Sequence, residues 1–328
     1  MDSAYMIYDE SYHQMKNKGE SVKDIDKAIR RYLSLFNQKS YTDILLCYRK
    51  QNIDVWLPRV CKKFEELYGE PMNSVELINR YQNGICISAC TNLTHQAIYV
   101  DELFESVLMS FLLNSFLWSE CSNEIEIWKM CFQNTLNCFH EQCILGRWSS
   151  DREIDKLIKV VIEKDTHLFD LAADCYWTII SFILAHELAH IYYKKIRRER
   201  GIEEKEWKIK ECKQEEYDAD RLAYNLVLAM IKEDCMLPEN KRVLYEHSVL
   251  APMMLMDFFE CFYYTDKILY NHILFGSDHP EPCRRKRQLF GILYKEDYEI
   301  ALEDAYALYQ NFLDILYKEY KENLLLVF

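Results

Sequence analysis

Apolar residues recur at helical spacing through most of the chain, and one stretch breaks the pattern. Short amphipathic runs over residues 22–82 predict three helices. Ser21 with Asp24 has the form of a capping box, Pro58 suits a first helical position, and Gly69 closes the second helix. Asn73 with Glu76 opens the third helix, which stops near Gly84. Ile85 to Cys90 and Gln96 to Val100 are then β-prone runs flanking the polar Thr91-Asn92-Leu93-Thr94, and they predict a hairpin. Asp101 caps a strongly apolar helix to about Trp118, and another helix covers about 123–144. From Asp151 the helical period runs to Gly201, as one helix or as a pair broken near Asp165-Thr166. Further helices are predicted over about 204–233, 241–274, 281–293 and 297–325, punctuated by Pro238 and Gly276. The pattern gives a predominantly helical α+β fold, with a small antiparallel sheet (the hairpin, about 85–100) packed on a helical body. Residues 1–84 read as an N-terminal helical cap, 85–295 as the core, and 296–328 as a C-terminal helix packed on it.

Composition agrees with long helices and few reversals: 328 residues carry only 7 Gly and 6 Pro, and half of the residues are hydrophobic. A net charge of −13 argues against nucleic-acid partners, because a phosphate backbone repels an acidic surface. The 13 cysteines are scattered with no CxxC pair, which excludes a zinc-ribbon spacing and reads as reduced, buried thiols. The start, Met-Asp-Ser-Ala-Tyr-Met, shows no basic region followed by an apolar run. The longest uncharged apolar stretch, Ser106 to Ser119, falls short of the roughly 18–20 residues that span a bilayer. A cytoplasmic protein with no membrane partner is the expectation.

Chemistry concentrates in His186-Glu187-Leu188-Ala189-His190, an HExxH motif inside a long apolar helix. Spacing of i, i+4 puts His186 and His190 one turn apart on one face, so both imidazoles can reach one metal ion. Glu187 lies about 100° round the helix and can contact water at the metal without being a ligand. Such a site needs a Lewis acid to acidify water and a carboxylate to take the proton. A metzincin would continue to HExxHxxGxxH, but Tyr193 and Ile196 stand at those positions and exclude that class.

The third ligand is then sought on a following helix, where Glu215-Glu216-Tyr217-Asp218-Ala219-Asp220 supplies acids. Glu216 and Asp220 share a helical face, so Glu216 can complete the zinc site while Asp220 orients a histidine ring. Glu215 competes for the ligand role, but its i+4 partner is Ala219, which favours Glu216. Further on, Gly276 and Pro280 frame His279 in a rigid turn before a helix. There its imidazole can stabilise an oxyanion, and Arg285 can pair with active-site acids or substrate. The run Lys194 to Arg200 reads as the solvated end of the HExxH helix.

HExxH, then a Glu-aromatic-x-Ala-Asp segment, then His-Pro with an Arg six residues after the His, resembles the gluzincin metallopeptidases. The set is similar to the soluble Lit-like phage-exclusion peptidases and, more distantly, to the CAAX-protease and HtpX-like families. The hairpin and helix from Cys90 to Leu108 also resemble the edge strand and helix that precede the zinc helix there. The resemblance covers about residues 85–290 and implies a zincin-like core with one Zn2+ per chain. It implies His186, His190 and Glu216 as ligands, Glu187 as general base, Asp220 behind a ligand and His279 as transition-state helper. CAAX-protease and HtpX-like enzymes are membrane-embedded, so the absence of a span in the sequence favours the Lit-like branch. Lit-like proteins act in abortive infection against a host translation factor, which implies a defence effector.

The sequence thus predicts a cytoplasmic zinc endopeptidase acting on a protein or peptide substrate, with room for an activating protein or peptide. Substrate is expected to add as a strand along the hairpin edge at Ile98, Tyr99 and Val100. One rival is a zinc-stabilised binding or regulatory protein with a vestigial site, which the intact Glu187 argues against. Another is a metal-free helical protein that works through its acidic surface.

Overall fold

The computed structural model describes residues 55–72, 74–80, 89–92, 96–101, 108, 111–116, 166–202, 209–234, 242–270, 280–295 and 314. The helices expected over 22–54 and 123–144 lie outside these residues, as does His279; of the helix expected over 297–325, residue 314 alone is described. What is described is predominantly helical with one small sheet.

Helix α1 (Leu57–Tyr68) begins with Pro58 in its first turn and ends at Gly69. That glycine adopts φ 71°, which a side chain would disfavour, and its N–H closes on the Glu65 carbonyl. The next segment departs from expectation. Glu76–Arg80 is a strand, β1, where a third helix was predicted. Its Glu76-Leu77-Ile78 core is too short to show a helical period, and pairing decides the outcome instead. Strands β2 (Ala89–Asn92) and β3 (Ala97–Asp101) form the expected antiparallel hairpin, while β1 joins β3 in parallel. The order is β1-β3-β2, which makes β3 the central strand. Ala97 to Val100 are accordingly buried, as a strand covered on both faces should be.

Helix α2 is described over Thr166–Glu199, and the expected break at Asp165-Thr166 falls at the edge of the described residues. It is apolar around most of its circumference, and Tyr176, Ile179, Phe182, Leu184 and Leu188 are all buried. Such a helix belongs at the centre of a core. Helices α3 (Ile209–Asp234) and α4 (Arg242–Tyr270) pack on it, together with α1, β2 and β3. Helix α5 (Pro282–Lys295) lies across α4 and α3. Among the described residues, Leu171–Glu199 alone is long and apolar enough to cross a membrane, and 78% of its most apolar window is buried within the protein. Asp174 and Glu187 divide this segment, so its uncharged runs are short. The end of α2 is a Schellman turn, in which Ile202 N–H bonds the Arg197 carbonyl and Gly201 N–H bonds the Arg198 carbonyl, with Gly201 at φ 68°.

One buried ion pair ties α4 to α5: Lys286 Nζ donates to Oδ1 of Asp257. Burial pushes the Asp257 carboxyl up to about 6, against the opposing pull of Lys286. A folded-state value above the unfolded one means that the fold holds this proton more tightly. The stabilising contribution is complete below about pH 4 and is lost as pH rises through about 6. Between pH 4 and 7 the stability of the wild type relative to Asp257→Asn should therefore fall by on the order of 1–3 kcal/mol. Paired denaturant unfolding curves measure this; a difference that does not vary with pH would contradict the perturbed carboxyl.

Candidate active site

Helix α2 carries His186 and His190 one turn apart in its buried middle, and α3 packs alongside with Glu216 and Asp220 facing them. The face of α3 that turns inward carries Ala219, Leu222 and Ala223, so apolar burial brings the acids with it. His186 Nε2 lies 3.0 Å from His190 Nε2. Glu216 completes a triangle, with Oε2 3.5 Å from His186 Nε2 and Oε1 3.3 Å from His190 Nε2. These three residues form a group whose donor atoms all lie within 4.8 Å of one another, and they could hold a metal ion. Donors bound tetrahedrally at about 2.0–2.1 Å from one ion stand about 3.3–3.4 Å apart, which matches the observed triangle.

Both imidazoles turn their other nitrogen toward a carboxylate on α3. His186 Nδ1 lies 3.0 Å from Asp220 Oδ1, a close electrostatic approach without good hydrogen-bond alignment. Asp220 is fully buried, and Arg285 on α5 grips it with both arms: Nε donates to Oδ2 at 2.7 Å and Nη2 to Oδ1 at 2.6 Å. Burial alone would raise the Asp220 carboxyl, but the Arg285 charge and hydrogen bonds hold it below the usual range. The third nitrogen of Arg285 is 3.8 Å from Glu216 Oε2.

Glu215, the rival ligand by sequence, faces the far side of His190. Its Oε1 lies 3.1 Å from His190 Nδ1, and its Oε2 is bonded by Arg197. Burial pulls both imidazoles down, while Asp220 and Glu216 at His186, and Glu216 at His190, pull them up further. The net effect places both histidines above their ordinary range.

Glu187 is buried beside this group, and the Thr91 hydroxyl donates to its carboxylate from strand β2. The same hydroxyl is 3.2 Å from the Glu187 carbonyl oxygen, so strand and helix meet at this residue. Sequence reasoning placed Thr91 and Asn92 in the turn, but both lie in the strand, paired with Ile98 and Ala97. It also took Arg197 for part of a solvated helix end. In the structure the Arg197 side chain is largely buried, and its position seven residues after His190, on the same helical face, was the available signal.

Ile98, Tyr99 and Val100 require a correction. They belong to β3, whose two edges are occupied by β1 and β2, so no substrate strand can add there. The hairpin was read without β1, and an edge strand became a central one. Among the described residues, β2 is the outer strand next to α2.

Removing the guanidinium from this site should be costly, because Asp220 would remain as a buried charge without its partner. Arg285→Met is expected to lower the unfolding free energy by about 3–5 kcal/mol. The adjacent Arg284→Met should cost roughly 1 kcal/mol or less, since Arg284 pairs with Glu281 in solvent. Equilibrium denaturation of the two metal-free variants makes the comparison, and equal losses would contradict it.

No curated protein and no solved structure matches the chain. Residues 150–299 match the family model described as Peptidase U49. The matched stretch contains all of α2 to α5, and therefore His186, Glu187, His190, Glu215, Glu216, Asp220 and Arg285. The match supports a protease, hence a hydrolase, with this His-His-Glu group compatible with a metal centre.

Proposed function

We propose that the protein is a zinc-dependent endopeptidase that hydrolyses a protein substrate. The observation that carries this reading is the convergence of His186 Nε2, His190 Nε2 and the Glu216 carboxylate next to buried Glu187, within the segment matched to a peptidase family. His186, His190 and Glu216 would hold the ion. When bound, zinc supplies Lewis acidity that polarises the scissile carbonyl and acidifies the attacking water. Glu187 accepts the proton of that water on its carboxylate and delivers it to the leaving amine. Thr91 holds the same carboxylate in place through its hydroxyl. A purely structural zinc site would have no use for a carboxylate at position 187, which disfavours the non-catalytic alternative.

With β3 central, substrate is proposed to lie along β2 (Ala89–Asn92), the strand whose Thr91 bonds Glu187. A peptide added there gains ladder hydrogen bonds, and these set its register against the base. His279 is assigned to steady the oxyanion. Arg285 anchors the first turn of α5, which follows His279 in sequence, to Asp220. The acidic chain suits a cytoplasmic protein substrate rather than nucleic acid or membrane. A defence role like that of Lit-like peptidases follows from the motif resemblance, and an activating protein or peptide would keep such an enzyme latent.

Incubating a host proteome with the wild type and with Glu187→Gln, then sequencing newly formed N-termini, tests the assignment. New termini should appear with the wild type and fall about 10²–10⁴-fold with Glu187→Gln. Elemental analysis should still find one zinc per chain in that variant. Undiminished cleavage by Glu187→Gln would overturn the role of the base.

A further inference from the structure

His190 is bracketed by two consecutive glutamates of α3. Glu216 Oε1 stands 3.3 Å from its Nε2, and Glu215 Oε1 stands 3.1 Å from its Nδ1. The two carboxylates are adjacent in sequence, yet only Glu216 lies on the Nε2 side with His186. Arg197 bonds Glu215 Oε2 from a position two turns beyond His190 on α2. Both partners are largely buried, with side-chain exposures of 13% and 12%, so the pair is not a solvent-screened surface contact. The Schellman turn closes on the Arg197 carbonyl and fixes the backbone from which this side chain projects.

We propose that Arg197 and Glu215 are a positioning pair that fixes His190 as an Nε2 donor and withholds the Glu215 carboxylate from the metal. The inference rests on the metal-site reading above. With Oε1 accepting from Nδ1–H, the lone pair of His190 is left on Nε2, the nitrogen that faces His186 and Glu216. With Oε2 held by the guanidinium, Glu215 cannot swing across the ring to become a second carboxylate ligand. A bound ion would then keep a single glutamate ligand, leaving room for water. His186 has a matching arrangement in Asp220 and Arg285, so each ligand histidine is backed by its own carboxylate and arginine. The two arginines come from different helices, α2 and α5, so the two supports can be tested separately.

Zinc affinity of the metal-free full-length protein, measured by competition with a chromophoric chelator, is the first readout. The visible spectrum of the cobalt-substituted protein is the second. Glu215→Ala and Arg197→Met should each weaken zinc binding about 10–100-fold. Glu215→Gln, which keeps an acceptor oxygen, and Arg197→Lys should lose less. Arg197→Met should also change the cobalt spectrum, as the released Glu215 joins the ion, and adding Glu215→Ala should reverse that spectral change. Wild-type affinity and an unchanged spectrum in Glu215→Ala and Arg197→Met would overturn the proposal. Complete loss of metal in Glu215→Ala would overturn it too, by making Glu215 the ligand. Should Glu215→Ala fail to fold by circular dichroism, Glu215→Gln and the two Arg197 variants decide. His186→Ala and Glu216→Ala separate the two levels: if they bind zinc as the wild type does, the metal site itself is misassigned.

Discussion

Packing helix α3 against the middle of α2 brings four carboxylates and two imidazoles into a space that water scarcely reaches, and their charge must be balanced there. Two arginines neutralise half of it, one from α5 and one from α2 itself. The remainder sits where His186, His190 and Glu216 converge. These three residues could hold a divalent cation, whose charge would offset that of the carboxylates in a low-dielectric interior. The facing carboxylates draw both histidines above their ordinary range against the opposing effect of burial. The rest of the fold can be understood as the means of keeping these groups together.

Helix α2 makes this possible because nearly its whole circumference is buried. Apolar contacts with α3, α4, α1 and the sheet fix its position, so the imidazoles are presented by a rigid element rather than a loop. The sheet contributes more than cover. Strand β2 reaches Glu187 through Thr91, so the edge on which a peptide would lie is bonded directly to the proposed base. On that proposal, one strand would set both the substrate register and the position of the base.

The helical half of the chain was open to reading from sequence because its signals are local. The helical runs of α2 to α5 follow from sustained apolar periodicity, and the end of α2 follows from the cap at Gly201. His186, Glu187 and His190 are read from spacing alone, and the i, i+4 relation of Glu216 to Asp220 points to a shared face. Strand β1 was not legible, because its parallel pairing to β3 is a long-range event that a five-residue segment does not encode. The same event buried Ile98, Tyr99 and Val100 and made β2 an outer strand among the described residues. Thr91, Glu215 and Arg197 escaped for a related reason: each gains its role from a partner on another element or a later turn. A polar residue carries little sign of whether it will meet solvent or a carboxylate.

The central claim is that His186, His190 and Glu216 surround one ion, with Glu187 close by but outside the coordination shell. A crystal structure of the zinc-loaded protein with anomalous scattering at the zinc edge tests it most directly. The account predicts a single strong peak about 2.0–2.2 Å from both Nε2 atoms and a Glu216 oxygen, with Glu187 not coordinated. A peak elsewhere, none at all, or one ligated by Glu215 in place of Glu216 would contradict it.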